Sequence, residues 1–408
     1  MIRRASWLIA AAAAAFAGLG GLSQPAQAAG PGGFSGTWAA SPMLDSTSSL
    51  ANNGLNNQTV RDILHTSVAG SQVRVRLSNV FGNRSVTFSA ASIGVRSSGA
   101  TLVSGSVRAL LFGGRASVTV AAGQEVFSDA TAFTVSAPQD LAVSVAVSGA
   151  SGPATEHAVA QTTNFLTPAG SGNHTADVGA GAFTSTTTSW LFVDGVDVLN
   201  TAINGSVVAL GDSITDGVGS TRDLSRRWPN FLAQRLRNAG RPLSVVDEGI
   251  SGNALMFSSS QFGQSALTRL SRDVLGQTGV RDVIVLEGIN DIGGAHDFNV
   301  NQFISAYQQI ISSAHSRGLR VIGGTLLPFK NAAVPNYYTT QGDTTRMQVN
   351  NWIRTSGAFD GVVDFDTAMR SPSDPLMLNP TFDSGDHLHP NDAGYQAMAN
   401  AINLALLT

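Results

Sequence analysis

Four short clusters in the second half of the chain contain the residue types that acyl transfer requires. GDSIT occupies residues 211–215, GISGN occupies 249–253, GIND occupies 288–291 and DHLHP occupies 386–390. A serine hydroxyl is a weak nucleophile, so it needs an imidazole to accept its proton and a carboxylate to orient that imidazole. The clusters contain a candidate for each of these three groups.

Ser213, His389 and Asp386 are the predicted catalytic residues. Gly211 permits a tight turn that exposes the Ser213 hydroxyl. Asp386 precedes His389 by three residues, and we expect one helical turn to place the two side chains on the same side. Asp212 is expected to support the turn rather than to take part in the reaction.

The predicted donors to the developing oxyanion are the backbone N–H groups of Ser213 and Gly252 and the side-chain amide of Asn290. Such donors must be held about 3 Å from the charged oxygen. Gly252 suits this role because a residue without a β-carbon lets the backbone approach the reacting carbon closely. Gly249 lies nearby and is the alternative, and either Gly252 or Asn290 could instead only bend or cap the chain.

A second histidine in the last cluster leaves two alternatives open. His387 competes with His389 for the role of base. The two histidines could also bind a metal ion together with Asp383 and Asp386, although no third cluster of ligand residues points to the same place. We predict neither a metal nor an organic cofactor. The remaining histidines are expected to be surface or structural residues, namely His65, His157, His174, His296 and His315.

The elements that position the clusters are predicted from alternating apolar runs after residue 204. Strands are predicted at 207–210, 243–246, 283–286, 321–326 and 362–365, and helices at 228–239, 300–316, 344–355 and 392–407. Continuous apolar strands are typical of a parallel sheet that is covered on both faces. Ligands bind at the carboxyl ends of such strands, and the first three clusters follow the first three strands directly.

The chain before residue 204 has a different pattern. Short runs that alternate apolar and polar residues, such as 73–77, 116–120 and 141–147, are separated by Gly, Ser and Asn. This pattern indicates many short strands joined by turns, as in a β-sandwich. We therefore predict a β-rich, sandwich-like accessory domain at 34–200 and an α/β catalytic domain at 204–408.

The four clusters, in this order, resemble the sequence blocks of the GDSL/SGNH hydrolase superfamily. The resemblance implies a flavodoxin-like, three-layer α/β/α domain. It also implies that Ser213, Gly252, Asn290 and the pair Asp386 and His389 are the functional residues. The first block reads GDSI where the superfamily name has GDSL, which is a conservative difference.

Two longer stretches are similar to a narrower branch of that superfamily. DEGISGN at 247–253 and LEGIND at 286–291 resemble the secreted bacterial arylesterases and acylhydrolases found with xylanases. Members of that branch also carry a β-rich domain before the hydrolase domain. The resemblance to this branch therefore covers the predicted accessory domain as well as the catalytic domain.

Residues 1–28 have the features of a cleavable signal peptide. Arg3 and Arg4 precede an apolar run at 7–19, and the small residues of AQA at 26–28 fit a cleavage site. A membrane anchor is the alternative, but the run is shorter than the roughly 20 residues of a spanning helix. We expect a secreted or periplasmic protein without a stable membrane span.

Composition excludes several other classes of function. The formal net charge is −3 and the chain has no long basic run, which argues against a nucleic-acid partner. The chain has no cysteine, which excludes thiol nucleophiles and zinc–thiolate sites. No Gly-x-Ser-x-Gly occurs, so the nucleophile elbow of α/β-hydrolases is also missing.

Together these features predict a secreted serine esterase that forms an acyl-enzyme. The expected substrates are short-acyl (acetyl) esters of carbohydrates, or aryl esters; a lipase or lysophospholipase type of acylhydrolase is the alternative. A non-catalytic glycan-binding envelope protein is a hypothesis from another class. It is less favoured because a vestigial site would usually have lost one of its residues. A metal-dependent phosphoesterase is a further, still less favoured alternative, and such an enzyme would lose its activity to a chelator. The sequence does not predict the oligomeric state.

Overall fold

The computed structural model describes residues 33–408, which form an antiparallel β domain followed by a parallel α/β domain. The predicted signal peptide at 1–28 lies outside the described residues. Within residues 33–408, no helix combines the length and the apolar content that a membrane crossing requires.

Two antiparallel sheets make up most of the N-terminal domain. Its elements are Phe34–Ala39 (β1), Ser49–Asn53 (α1), Asn56–His65 (β2), Gly70–Ser78 (β3), Val86–Ser98 (β4), Thr101–Leu102 (β5), Arg108–Leu110 (β6), Val118–Val120 (β7), Glu125–Phe127 (β8), Thr131–Val135 (β9), Asp140–Ala150 (β10), Glu156–His157 (β11), Asn164–Leu166 (β12), Ser185–Thr187 (β13), Trp190–Leu191 (β14) and Val193–Leu199 (β15). The larger sheet has the order β13-β12-β2-β10-β4-β5, and β6 and β7 also pair with β4. The smaller sheet has the order β1-β15-β3-β8, with β9 also pairing with β3, while β11 pairs with β14 alone.

Alternate residues from both sheets fill one hydrophobic core. Val73 and Val75 of β3 are buried in the same cluster as Val143 and Val145 of β10. Successive side chains of a strand point to opposite faces, so residues two apart share the inner face. The predicted β-rich, sandwich-like domain is therefore confirmed as two antiparallel sheets that pack on each other.

A five-stranded parallel sheet forms the centre of the C-terminal domain. Its strands are Gly205–Gly211 (β16), Leu243–Gly249 (β17), Val280–Leu286 (β18), Arg320–Gly324 (β19) and Gly361–Val363 (β20). The helices are Ser213–Asp216 (α2), Trp228–Asn238 (α3), Ala266–Asp273 (α4), Ile289–Gly293 (α5), Val300–His315 (α6), Thr340–Thr355 (α7), Phe365–Met369 (α8) and Asp392–Ala401 (α9).

The strand order of this sheet, β17-β16-β18-β19-β20, is the flavodoxin-like order. Every residue of β16 is buried, as expected of a central strand with helices on both faces. α3 packs against α9, and α6 packs against α7, which gives one helical layer on each face. The predicted three-layer α/β/α fold is confirmed.

Two helices differ from the predicted ranges because of side-chain caps. α7 begins at Thr340, four residues earlier than predicted, since the Thr339 side chain accepts a hydrogen bond from Gly342 N–H. α9 ends at Ala401 instead of 407, since the Asn403 side chain caps a separate 3-10 turn at Leu404–Leu406. The short helices α4, α5 and α8 were not predicted, because each has eight residues or fewer and an apolar period is read over windows of roughly 11–18 residues.

A buried polar network joins the two domains at the end of β17. The hydroxyl of Ser41, in the N-terminal domain, donates to Glu248 Oε2 at 2.6 Å and lies 2.8 Å from Arg269 Nη1, which donates to it. All three residues are fully buried. Buried polar groups need such partners, so the network requires the two domains to keep this arrangement.

Candidate active site

The carboxyl ends of β16, β17 and β18 bring three of the four clusters together. Gly211, the last residue of β16, pairs with Gly249 of β17 and with Leu286 of β18. The loops that follow these strands therefore start at the same level of the sheet. The fourth cluster reaches this edge from the segment that precedes α9.

Ser213, His389 and Asp386 form a continuous hydrogen-bonded chain. Ser213 Oγ lies 2.8 Å from His389 Nε2, and His389 Nδ1 lies 2.6 Å from Asp386 Oδ2. A carboxylate can only accept hydrogen bonds, so the imidazole proton lies on Nδ1. Nε2 is then free to accept the proton of the Ser213 hydroxyl.

The segment that carries Asp386 is a loop and not the helical turn that we expected. His387 has a φ of +60°, and Asp386 Oδ1 accepts from the backbone N–H groups of Leu388 and His389 at 2.9 and 2.8 Å. The carboxylate thus folds the chain around itself, as aspartate often does in turns. Burial raises the pKa of Asp386, but the hydrogen bonds from His389 outweigh burial and hold that pKa well below its usual range.

His387 points to a different carboxylate. Its Nδ1 lies 2.6 Å from Asp383 Oδ2, and its side chain is 42% exposed, against 12% for His389. The structure therefore brings His389, and not His387, to Ser213. Among residues 33–408, no group of three or more histidines and carboxylates is arranged to hold a metal ion.

Asp212 supports the turn at Ser213, as expected. Its Oδ1 accepts from Ile214 N–H at 2.9 Å, which caps α2. Burial raises the pKa of Asp212 to about 7. The carboxyl group lies beneath the turn and makes no hydrogen bond to His389 or Ser213 among the described residues.

The structure distinguishes the two glycines of the second cluster. A β-carbon at Gly249 would lie 2.3 Å from the backbone nitrogen of Asp216, so Gly249 allows α2 to pack on the end of β17. Gly252 has a φ of +79° and lines the cavity beside Ser213. In residues 33–408, the N–H groups of Ser213 and Gly252 have no protein acceptor.

Asn290 is held in a single orientation by two neighbours. Its Nδ2 donates to the carbonyl oxygen of Asn253 at 2.7 Å, and its Oδ1 accepts from the Tyr337 hydroxyl at 2.7 Å. Because a carbonyl oxygen can only accept, the amide nitrogen must face Asn253. The second N–H of the amide remains for a ligand in the cavity. Tyr337 was not predicted, since nothing in its surrounding sequence distinguishes it from a loop tyrosine.

Two other residues of the clusters fix the loop that contains Gly252. The Asp291 carboxylate accepts from the backbone N–H groups of Leu255 and Met256 at 2.7 and 2.9 Å. Asn253 Nδ2 donates to the carbonyl oxygen of Phe262 at 2.8 Å. These residues were noted within the sequence motifs, but the contacts that they make were not predicted.

A cavity of about 630 Å³ opens beside Ser213 and His389. This volume falls in the range of roughly 300–1,000 Å³ that small-molecule sites occupy. Its lining is mostly apolar and includes three partly exposed side chains, Phe257, Phe262 and Val334. The N-terminal domain supplies part of the wall, namely Met43, Asp45, Ala158 and Val159.

His157 is a further residue of the site region that the sequence did not reveal. Of the two expected roles, surface or structural, the structure shows the second: His157 is buried, and its Nε2 lies 3.0 Å from Asp216 Oδ1 at the end of α2. No pattern links a histidine of β11 to an aspartate of α2. Their contact forms only when the two domains pack together.

The C-terminal domain matches a known protein family. Residues 209–397, a little under half of the chain, match the model of the GDSL-like Lipase/Acylhydrolase family. The match contains all four clusters. A search of the curated proteins gives no match to the chain.

Several solved structures resemble this domain. The GDSL-like lipase from Bacteroides thetaiotaomicron is 22% identical, with a TM-score of 0.38 over 50% of this chain and 88% of that one. The lipase/acylhydrolase from Enterococcus faecalis is 20% identical, with a TM-score of 0.38 over 48% of this chain and 92% of that one. The α/β hydrolase enzyme LAE5, from a metagenome of Lake Arreo, is 21% identical, with a TM-score of 0.37 over 50% of this chain and 95% of that one.

Proposed function

We propose that the C-terminal domain, which matches the model of the GDSL-like Lipase/Acylhydrolase family, is an esterase that cleaves carboxylic esters through a covalent acyl-enzyme on Ser213. The observation that carries the proposal is the hydrogen-bonded chain from Ser213 through His389 to Asp386 at the edge of an apolar cavity. The family is the one that the four clusters resemble. Membership of the narrower branch found with xylanases stays a prediction.

The geometry suits His389 as the general base and then the general acid. As Ser213 Oγ attacks the ester carbon, its proton passes to His389 Nε2 over the 2.8 Å hydrogen bond. Asp386 stabilises the imidazolium that forms and keeps the ring in place. His389 then returns the proton to the leaving alcohol. A water molecule, activated by the same base, attacks the ester on Ser213 and releases the acid.

Three donors are available for the oxyanion of each tetrahedral intermediate. They are the N–H groups of Ser213 and Gly252 and the second N–H of the Asn290 amide, and all three residues line the cavity. Donors that are already oriented need no reorganisation when the charge develops, so they stabilise the transition state more than the bound ester.

Replacing Asn290 by alanine should lower kcat by about 10²–10³-fold with little change in KM, because one oxyanion donor is lost. Tyr337→Phe is the matched variant: it removes only the hydroxyl that orients the amide, so its loss of kcat should be smaller. Steady-state hydrolysis of p-nitrophenyl acetate measures both. An Asn290→Ala enzyme with wild-type kcat would show that the amide is not a donor.

The cavity lining favours the aryl-ester part of the expected substrate range. Phe257, Phe262 and Val334 present apolar surface that an aromatic or short aliphatic group would cover. A sugar would bring hydroxyl groups against this surface, and burying a hydroxyl without a hydrogen bond is unfavourable. We therefore place aryl esters first, and acetylated carbohydrates remain the second substrate class.

Phe257→Ala tests this substrate assignment. Loss of apolar contact worth about 1 kcal/mol should raise KM for 1-naphthyl acetate about 5-fold and leave kcat nearly unchanged. Leu224→Ala is the matched control, since Leu224 is similarly exposed, at 51% against 45%, but does not line the cavity. An unchanged KM for Phe257→Ala would contradict the assignment. If the wild-type enzyme also released acetate faster from acetylated xylan than from 1-naphthyl acetate, the results would support a carbohydrate esterase.

Export of the protein is also part of the proposal. It rests on the charged, apolar and small-residue segments at 1–28. Mass spectrometry of the protein from the culture medium and from the periplasm would test it, with the mature chain expected to begin after residue 28.

A further inference from the structure

A buried polar bridge crosses the domain boundary behind the active site. His157 of β11 contacts Asp216 of α2, with 3.0 Å between Nε2 and Oδ1, and the two side chains are 4% and 1% exposed. His157 Nδ1 lies 3.0 Å from the carbonyl oxygen of Ser41. Carboxylate and carbonyl oxygens can only accept hydrogen bonds, so both ring nitrogens carry protons. His157 is therefore an imidazolium that is paired with a carboxylate.

The groups around His157 are consistent with this charge. Burial lowers the pKa of His157, as does the nearby Arg227, but Asp216 and the hydrogen bond to Ser41 outweigh both and raise that pKa above its usual value. Arg227 is the second cation near Asp216, with Nη1 at 3.9 Å from Oδ1. The ring of Trp190 lies 5.3 Å from that of His157 and 5.2 Å from the Arg227 guanidinium. The pair is thus enclosed by side chains on both sides of the domain boundary.

The other oxygen of Asp216 holds the loop that contains Gly252. Asp216 Oδ2 accepts from Ser251 N–H at 3.0 Å and from Ser251 Oγ at 2.6 Å. Ser251 directly precedes Gly252, and Asp216 lies three residues after Ser213 on α2. One carboxylate therefore links the turn of the nucleophile to the loop of a proposed oxyanion donor.

We propose that His157 of the N-terminal domain is a positioning residue for the esterase: it holds the Asp216 carboxylate, which in turn places the Gly252 N–H opposite Ser213. The inference rests on the proposed function. Without the bond from His157, one buried oxygen of Asp216 would lose its hydrogen-bond partner, so the carboxylate would shift toward another donor. Ser251 and Gly252 would move with it.

The same segment also forms part of the cavity wall. Ala158 and Val159, which directly follow His157, line the cavity. Residues 157–159 of the N-terminal domain therefore contact the active site in two ways. Ala158 and Val159 form part of the cavity wall, and His157 binds Asp216. A displaced oxyanion donor should weaken binding of the transition state more than binding of the ester. We therefore expect changes at His157 to act on kcat rather than on KM.

Two amide substitutions separate the two hydrogen bonds of His157. Glutamine can place its amide nitrogen near the position of Nε2 and keep the donor to Asp216. Asparagine can place its nitrogen near the position of Nδ1 and keep only the donor to Ser41. For p-nitrophenyl acetate, His157→Gln should retain kcat within about 3-fold, and His157→Asn should lower kcat about 10–100-fold, with KM nearly constant in both.

His174→Gln is the control for loss of a histidine–aspartate pair in the same domain. His174 Nδ1 lies 2.8 Å from Asp177 Oδ2, and neither residue lines the cavity. This variant should keep the wild-type kcat and KM. Thermal unfolding of every variant separates a loss of kcat from a loss of folded protein.

Equal kcat values for His157→Gln and His157→Asn would overturn the proposal, and so would a wild-type kcat for His157→Asn. If His157→Asn does not fold, Ser251→Ala decides, because it removes only the hydroxyl bond to Asp216. A lower kcat at constant KM would then support the proposal, and an unchanged kcat would overturn it. Failure of the proposed function is a different result, namely a wild-type enzyme without turnover that depends on Ser213.

Discussion

Replacement of Ser213 by alanine should abolish ester turnover and leave the fold intact. Ser213 Oγ lies 2.8 Å from His389 Nε2, so its removal leaves the base without a hydroxyl to activate. We expect kcat to fall by about 10⁴-fold or more, since the oxyanion donors alone give only slow hydrolysis. Hydrolysis of p-nitrophenyl acetate measures turnover, and covalent labelling by a fluorophosphonate, which requires the nucleophile, should disappear as well.

Ser244→Ala is the matched control for this experiment. Ser244 is fully buried at the start of β17, the opposite end of the sheet from Ser213, and its Oγ lies 2.7 Å from Ser206 Oγ. Its loss should lower the free energy of unfolding by about 1 kcal/mol and leave kcat unchanged. If Ser213→Ala kept near wild-type turnover and labelling, another residue would have to be the nucleophile.

Replacement of His389 by glutamine should have the second-largest effect. Glutamine cannot accept a proton at neutral pH, so it cannot act as base toward Ser213 or as acid toward the leaving alcohol. We expect kcat to fall by about 10³–10⁴-fold. We would measure kcat and KM of the wild type and of His389→Gln for a series of esters. We expect kcat to fall for every substrate while KM changes little.

The chain supplies an unusually close control in His387. It lies two residues before His389 and bonds to a carboxylate in the same way, with 2.6 Å between Nδ1 and Asp383 Oδ2. His387→Gln should therefore keep kcat within about 3-fold of the wild type, because the His387 ring does not contact Ser213. A reversed order, with the larger loss in His387→Gln, would identify His387 as the base.

The fold of the C-terminal domain could be predicted because its signals are local. Apolar runs such as 207–210 and 283–286 mark buried parallel strands, and helix periodicity marks the segment at 300–316. The ends of the helices were predicted less accurately than their positions, because a cap such as the Thr339 hydroxyl depends on a single side-chain hydrogen bond. The short helices α4, α5 and α8 were missed because they are shorter than the roughly 11–18 residues over which an apolar period is read.

The residues of the candidate site could be selected from the sequence, but not all of their contacts could be predicted. Ser213, Gly252 and Asn290 each follow a predicted strand, and parallel strands place their carboxyl ends together whatever the rest of the chain does. The geometry that joins Asp386 to His389 was predicted wrongly as a helical turn. It is a loop that Asp386 closes by accepting backbone hydrogen bonds.

By itself, the sequence determined the order of the longer elements of the C-terminal domain and the set of candidate site residues, because both follow from the period of apolar residues and from short motifs. Only the tertiary structure decided which histidine reaches Ser213, that Tyr337 orients Asn290, and that His157 holds Asp216. Each of these contacts joins residues far apart in the chain. Such contacts depend on the packing of whole elements and domains, which a local pattern does not record.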